Sequence, residues 1–415
     1  MKSELISKIK NKGIKGILFA VHVRMTAVEY AAFTLLPINK HLIVFESDGD
    51  LTDNSYALYE YMRIHNYLDR YKVVWMVHDV SRAKKMQTHR PDLFPNTIFA
   101  NKDIGKINIK RNFYLATCKW FIYDHSNLVS NYCRRRGQNV VFISHGFGVK
   151  AGKGIQPVRN NFDINIVLGE IPAENASKDW GGTVSQTRQW GYPRNDYLFV
   201  DNNDVKKVLN DKWAFDKYRK VILWMPTFRK TVAYGAQLSE DYIQNETGMP
   251  LFQTMAELKA LDEFLSRLDV LVVLKLHPLQ ANLKVFSYNY QNIIVLRNEN
   301  LQDMQLQLYQ MVRYTDALVT DYSSISTDYM LLDKPIIYIL DDYEEYKKAR
   351  GLSPENALDL LVGYHIVSVE ELENAVSEIV CGIDRFQEAR RKLIPKLHKY
   401  IDGNACERII RELNL

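Results

Sequence analysis

Four cysteines are scattered through 415 residues, and no two of them form a C-x-x-C pair. The spacing of Cys118, Cys133, Cys381 and Cys406 suits neither a zinc site nor a disulfide framework, so a reducing, intracellular compartment is expected. No run of about 18 uninterrupted apolar residues is present, and no membrane-spanning helix is expected. The N-terminus is basic, but its apolar run is broken by Lys15, His22 and Arg24 and no small-residue cleavage site stands out, which argues against a secretory signal. Charge of one sign is also scarce: 54 Lys and Arg against 49 Asp and Glu leave +5, too little to point to nucleic acid unless it is clustered. Internal repeats and low-complexity tracts are lacking.

What is present is a long alternation of strands and helices. The length suits two or three domains. Strand-like runs stand at 42–46, 72–77, 120–123, 139–144 and 164–169, and again at 220–225, 270–276, 292–296, 317–320 and 335–340. Most are continuous apolar runs rather than strict alternations, the pattern of strands buried on both faces of a parallel sheet. Helical patterns at 56–71 and 255–268 complete βαβ units. The series divides near 200–210, where FVDNNDVKKV has little apolar content. The sequence therefore predicts an α/β chain of two Rossmann-like domains facing one cleft. Residues 1–205 form the first, and residues 206–415, with a basic helical tail, form the second.

Ligands of open parallel sheets collect at the carboxyl ends of the strands. Four polar segments fall there: HGFGVKAGKG (145–154), PTFRK (226–230), HP (277–278) and DYSSIST (321–327). The first has four glycines and two lysines, a composition that brings backbone N–H groups to an anion, yet it matches neither a Walker A loop nor G-x-G-x-x-G. As a bland alternative it is a flexible turn. Ser323 and Ser324 open a short helix, with Asp328 a turn further on, a pattern that either caps a helix or binds phosphate. His145 and His277 occupy matching strand ends in the two halves, where two imidazoles can divide acid, base and phosphate-stabilising work. Asp48-Gly49-Asp50 reads as D-x-D, for which an ordinary Asp- and Gly-rich turn outweighs a metal site. Lys2 to Val28 is a basic segment with Ile14, Leu18, Val21, Met25 and Val28 at helical spacing; it either lies on an anionic membrane or packs on the first domain. Arg134 to Arg136, and the tail with Arg390, Arg391, Lys392, Lys396 and Lys399, offer cations to an acidic substrate or merely to solvent.

Seven segments in order carry a resemblance: FESDGDLTDNSYALYEYM, YLATCKWFIYDHS, ISHGFGVK, GYPRNDYL, LWMPTFRK, LKLHP and TDYSSISTDYMLLDKPIIY. Together they make the chain similar to the CDP-glycerol glycerophosphotransferase family of teichoic acid and capsule polymer synthesis. The resemblance implies a B-type glycosyltransferase fold, with an acceptor-side first domain and a CDP-alditol-binding second domain. It implies no cofactor and no essential metal. The implied donor site falls on His145, Gly146, Lys150, Arg194, Pro226, Thr227, Lys275, His277, Ser323, Ser324 and Asp328, with His145 and His277 catalytic. The implied partners are a CDP-alditol donor, an anionic polymer or lipid-linked glycan acceptor and the cytoplasmic face of the bacterial membrane, with no nucleic acid. One departure stands out: the family's H-G-T followed by Pro is His145-Gly146-Phe147-Gly148 here. Two rival readings are a B-type glycosyltransferase that uses a nucleotide sugar and a non-catalytic module that binds anionic polymer or membrane.

Overall fold

The structure is a computed structural model that describes residues 18, 21–22, 24–103, 108–125, 135–151, 162–229 and 245–415. A seven-stranded sheet is formed by β1 (Asn39–Glu46), β2 (Lys72–Val77), β3 (Thr97–Asn101), β4 (Cys118–Tyr123), β5 (Asn139–Ile143), β6 (Ile164–Val167) and β7 (Thr187–Gln189), in the order β3-β2-β1-β4-β5-β6-β7. A six-stranded sheet follows with β8 (Lys220–Trp224), β9 (Val270–Lys275), β10 (Ile293–Leu296), β11 (Ala317–Thr320), β12 (Ile336–Ile339) and β13 (Tyr364–Ile366), ordered β10-β9-β8-β11-β12-β13. Every neighbouring pair is parallel. Each half is thus a doubly wound Rossmann-like unit, as the alternating pattern predicts. Strand order reverses between β1 and β4, and again between β8 and β11, and those two crevices are where such sheets receive ligands.

Local chemistry accounts for these elements. The run VLVVLK of β9 is buried on both faces, so β-branched and leucine side chains pack above and below it. The helix Met255–Arg267 starts at Thr254, whose hydroxyl takes the Glu257 N–H while the Glu257 carboxylate takes the Thr254 N–H. Leu258, Leu261 and Leu265 form its buried stripe.

The tail is less separate than the sequence suggests. Helices Gln387–Leu397 and Ala405–Leu413 return to the first half. There Lys399 N–H reaches the Leu168 carbonyl at 3.1 Å, and the N–H groups of Ala405 and Cys406 bind the Asp196 carboxylate at 2.9 and 2.8 Å. Arg390 is fully buried between Asp333 and Asp384, and Arg391 also pairs with Asp333. Buried Arg390 thus fastens the tail rather than meeting an acidic substrate or solvent, while Arg391 pairs with Asp333 and stays 60% exposed.

Most of the basic N-terminal segment lies outside the described residues. Its last part forms a helix at 24–33 that buries Thr26 and Tyr30, with Phe33 packed edge-on against Phe113 at 5.6 Å. Leu18, Val21, Met25 and Val28 are turned to solvent, with exposures of 53%, 47%, 41% and 70%. Among the described residues no helix is long and apolar enough to cross a membrane.

Candidate active site in the interdomain cleft

His145 follows β5 and Ser144, and the Ser144 carbonyl is pinned by buried Asn54, whose Nδ2 donates to it at 2.8 Å. Asn54 Oδ1 also accepts the Arg194 N–H at 3.1 Å, so one side chain sets both the histidine loop and the P-R-N-D segment. The His145 ring keeps an edge open to solvent but is crowded by protein, and its centroid lies 5.8 Å from that of His125. That crowding, helped by His125 and Arg194 and opposed by Asp53 and Asp48, lowers its pKa to about 4. The environment thus favours the neutral imidazole at neutral pH.

The glycines after His145 have a packing reason. Gly146 has φ +144°, and a Cβ there would stand 2.6 Å from Ser324 Oγ and 3.2 Å from Arg194 Nη2. A Cβ at Gly148 would stand 3.0 Å from the Ser324 Cα. The loop therefore meets the second half backbone to backbone at Ser324. Phe147, which replaces the threonine of the family pattern, is buried in the main core instead of facing the cleft. Gly152 to Gly154, the remainder of the glycine-rich loop, lie outside the described residues.

Arg194 ties the halves together. Its Nη1 binds Asp53 at 2.6 Å and its Nη2 binds Asp328 at 2.7 Å, while the guanidinium lies 4.7 Å above the Tyr309 ring. Asp328 is fully buried and also accepts from Asn195 and Tyr309. In this arrangement Arg194 and Asp328 neutralise each other across the cleft. Ser323 and Ser324 stand half-buried before the helix Ile325–Tyr329, which is only five residues long. The N–H groups of Ser326 and Thr327 already bind the carbonyls of Ser323 and Ser324, so fewer donors remain for an anion than the sequence pattern suggests.

A second knot lies at the reversal point of the second sheet. Thr227 donates its N–H and its hydroxyl to Asp321 at 2.8 and 2.6 Å. Arg229, with no exposed surface, bridges Asp321 at 2.6 Å and Asp342 at 2.8 Å, sandwiched near the rings of Tyr322 and Tyr346. Lys150 reaches this region from the first half, and its backbone makes an isolated antiparallel bridge to Leu352. Burial pulls its pKa down to about 8, against the attraction of Asp321. Pro226 stands half-buried between β8 and Thr227.

The third group ends β9. Lys275 donates to Asn298 at 2.8 Å, and burial lowers its pKa. His277 is exposed and stacks flat on Phe228, with centroids 4.3 Å apart. Its pKa is lowered by partial burial and by Lys275, while Asp48 of the first half pulls the other way. Asp48 is thus a charged neighbour common to His145 and His277.

Several residues of this region carry no signal in the four strand-end segments: Asp48, Asp53, His125, Asp124 and Asp342. Extending the strand-end rule to β1 and β4 points to Asp48, Asp124 and His125 directly. The other carboxylate of the D-x-D turn is structural: Asp50 accepts the N–H groups of His78 and Asp79 and pairs with Lys102. Among the described residues no cluster of three His, Cys, Asp or Glu side chains could hold a metal ion.

A family model described as CDP-Glycerol:Poly(glycerophosphate) glycerophosphotransferase matches residues 28–415. The chain belongs to this family. It is 24% identical to a teichoic acid poly(glycerol phosphate) polymerase of Bacillus spizizenii over 383 residues, covering 84% of this chain and 83% of that one. It is also 24% identical to a teichoic acid glycerol-phosphate transferase of Staphylococcus aureus, covering 92% and 96%. A teichoic acid poly(ribitol-phosphate) polymerase of B. spizizenii is matched at 24% identity, but the chain spans only 58% of its length. Among solved structures, the wall teichoic acid polymerase TagF superposes with a TM-score of 0.71 at 19% identity, over 97% of this chain and 98% of that one. An S. aureus MnaA–UDP structure superposes at 0.52 with 12% identity, a likeness of fold alone. The fold is the two-domain B-type glycosyltransferase architecture, and the family makes the chain a transferase of alditol phosphate from a CDP-alditol to a teichoic acid acceptor, releasing CMP.

Proposed function

We propose that the reaction divides between the halves, with residues 1–205 serving the acceptor and residues 206–415 the donor. The acceptor hydroxyl attacks the alditol-bearing β-phosphorus of CDP-glycerol or CDP-ribitol. Its proton passes to His145 as the new P–O bond forms, and the bond to the bridging oxygen breaks with CMP as leaving group. The observation that carries this reading is a solvent-reached imidazole at a strand end of the first sheet, on a loop whose Gly146 and Gly148 meet Ser324 of the second half. Phosphoryl transfer asks a protein chiefly for positioning and electrostatics. Lys150, Lys275 and His277 supply positive charge or N–H donors to the diphosphate. Ser323, Ser324, Pro226 and Thr227 shape the donor wall. Arg194, with Asp328, holds Gly146 and the His145 loop against Ser324.

The acceptor is a teichoic acid or capsule chain end carried on lipid, met at the cytoplasmic face of the membrane. The support is the row Leu18, Val21, Met25 and Val28, one helical face turned to solvent beside exposed Arg24. An apolar face with flanking cations suits an anionic bilayer.

A donor panel tests the reading. Purified protein with CDP-glycerol, CDP-ribitol or a UDP-sugar, each with a lipid-linked glycerol phosphate acceptor, is expected to release CMP from one CDP-alditol only when acceptor is present. Release of UDP from the sugar nucleotide, with both CDP-alditols untouched, would overturn it.

A further inference from the structure

The turn after β1 carries a side-chain pair, Asp48 and His125, to which the donor site described above gives no role. The Asp48 N–H donates to Asp124 Oδ1 at 3.2 Å, and the same buried carboxylate takes the Ser55 N–H at 2.9 Å through Oδ2. From the other side Lys102, itself buried, donates to the carbonyls of Ser47 and Asp48 at 2.7 and 2.9 Å. The backbone of Asp48 is therefore clamped while its side chain stays 68% exposed. Asp50, two residues on, is the contrast, since its carboxylate is taken by two backbone N–H groups and Lys102. His125, two residues beyond β4, places Nε2 3.4 Å from Asp48 Oδ1 and keeps 41% exposure. Its ring centroid lies 5.8 Å from that of His145. A clamped backbone with an exposed side chain is a placement that suits a ligand-binding group.

The charge says which ligand. An exposed carboxylate repels a diphosphate, for which the proposed countercharges are Lys150, which lies near Asp321 and Arg229, and Lys275 at the end of β9. Toward a neutral alcohol the same carboxylate is a strong hydrogen-bond acceptor, and an imidazole beside it can donate or accept. We propose that Asp48 and His125 form the acceptor subsite: they hydrogen-bond the hydroxyls at the polyol end of the acceptor chain and present the reactive one to His145. The pair binds and orients; the proton still goes to His145. This inference rests on the alditol-phosphate reading above.

Steady-state rates of the full chain test it, with the CDP-alditol that the unaltered protein uses and a synthetic glycerol phosphate trimer as acceptor, each varied in turn. Asp48→Asn and His125→Gln are each expected to raise the acceptor KM by about tenfold or more, the loss of one charge-assisted hydrogen bond, and to move the donor KM by less than about twofold. Asp48→Glu, which keeps the charge and shifts its position, is expected to fall between. Acceptor KM unchanged in both variants, or donor and acceptor KM rising together, would overturn the subsite. Should the unaltered protein release no CMP from any CDP-alditol, the broader reading fails and the subsite falls with it, which is a different result from normal turnover with indifferent variants. Both side chains are exposed, so the substitutions leave the core intact, and circular dichroism of each variant verifies this.

Discussion

His145 and Lys150 sit five residues apart on one loop, and the same cause, burial, pushes both toward their neutral forms. For the base this is favourable: the imidazole is needed without its proton, and a pKa lowered from 6.5 keeps it so at mildly acid pH. For the lysine it sets an upper limit, because its cation is lost as pH rises through about 8. The expected profile of kcat/KM against pH therefore has an acid limb below the ordinary histidine value and an alkaline limb near 8. Lys150→Gln is expected to lower the plateau and abolish the alkaline limb. A plateau extending unchanged to pH 10 would show that Lys150 carries no needed charge. At this scale the sequence correctly marked strand ends: His145 and His277 do follow β5 and β9. Asp48 and Asp50 were indistinguishable in it, because only the fold decides which carboxylate meets the N–H groups of His78 and Asp79.

At the scale of elements, most strands legible in the sequence are buried on both faces; the edge strand β10 is the exception, with Ile294 and Val295 only partly covered. The three without a clear signal, β3, β7 and β13, all lie at sheet edges. TRQ of β7 and YHI of β13 are only partly covered, and an edge strand lacks the neighbour that would demand an apolar run. The glycine-rich loop was legible as special but for an incomplete reason: an anion-binding turn was the expectation, whereas Gly146 and Gly148 are needed for close approach to Ser324. Gly146→Ala meets both an unfavourable φ and the Ser324 side chain. It is expected to lose about 1–3 kcal/mol of stability, read from denaturant unfolding, together with most of the activity. Ser324→Ala is not expected to rescue it, because the Ser324 Cβ would itself lie 2.9 Å away. Unchanged stability and turnover in Gly146→Ala would show that the loop meets the second half differently.

Across the whole molecule, the tail helices and the Arg194 bridge join two sheets that the chain builds one after the other. The contacts between the halves were invisible to periodicity: Arg194 with Asp328, and Asp196 with the start of the last helix, are separated by 134 and about 210 residues. The exposed row on the N-terminal helix belongs to this scale too. Replacing Val21, Met25 and Val28 together by Ser is expected to reduce sedimentation with phosphatidylglycerol vesicles several-fold while unfolding stability changes little, since these side chains are already in water. Equal sedimentation of the triple variant would remove that helix from membrane contact.

The division of labour between the halves is tested most directly by His145→Ala, with CDP-alditol affinity measured by calorimetry and turnover by CMP release on the same preparation. The account predicts a donor Kd within a few-fold of the unaltered protein and a kcat lower by roughly 10²–10⁴-fold. Retention of about half the activity, or a loss explained entirely by weaker donor binding, would contradict the assignment of His145 as the base.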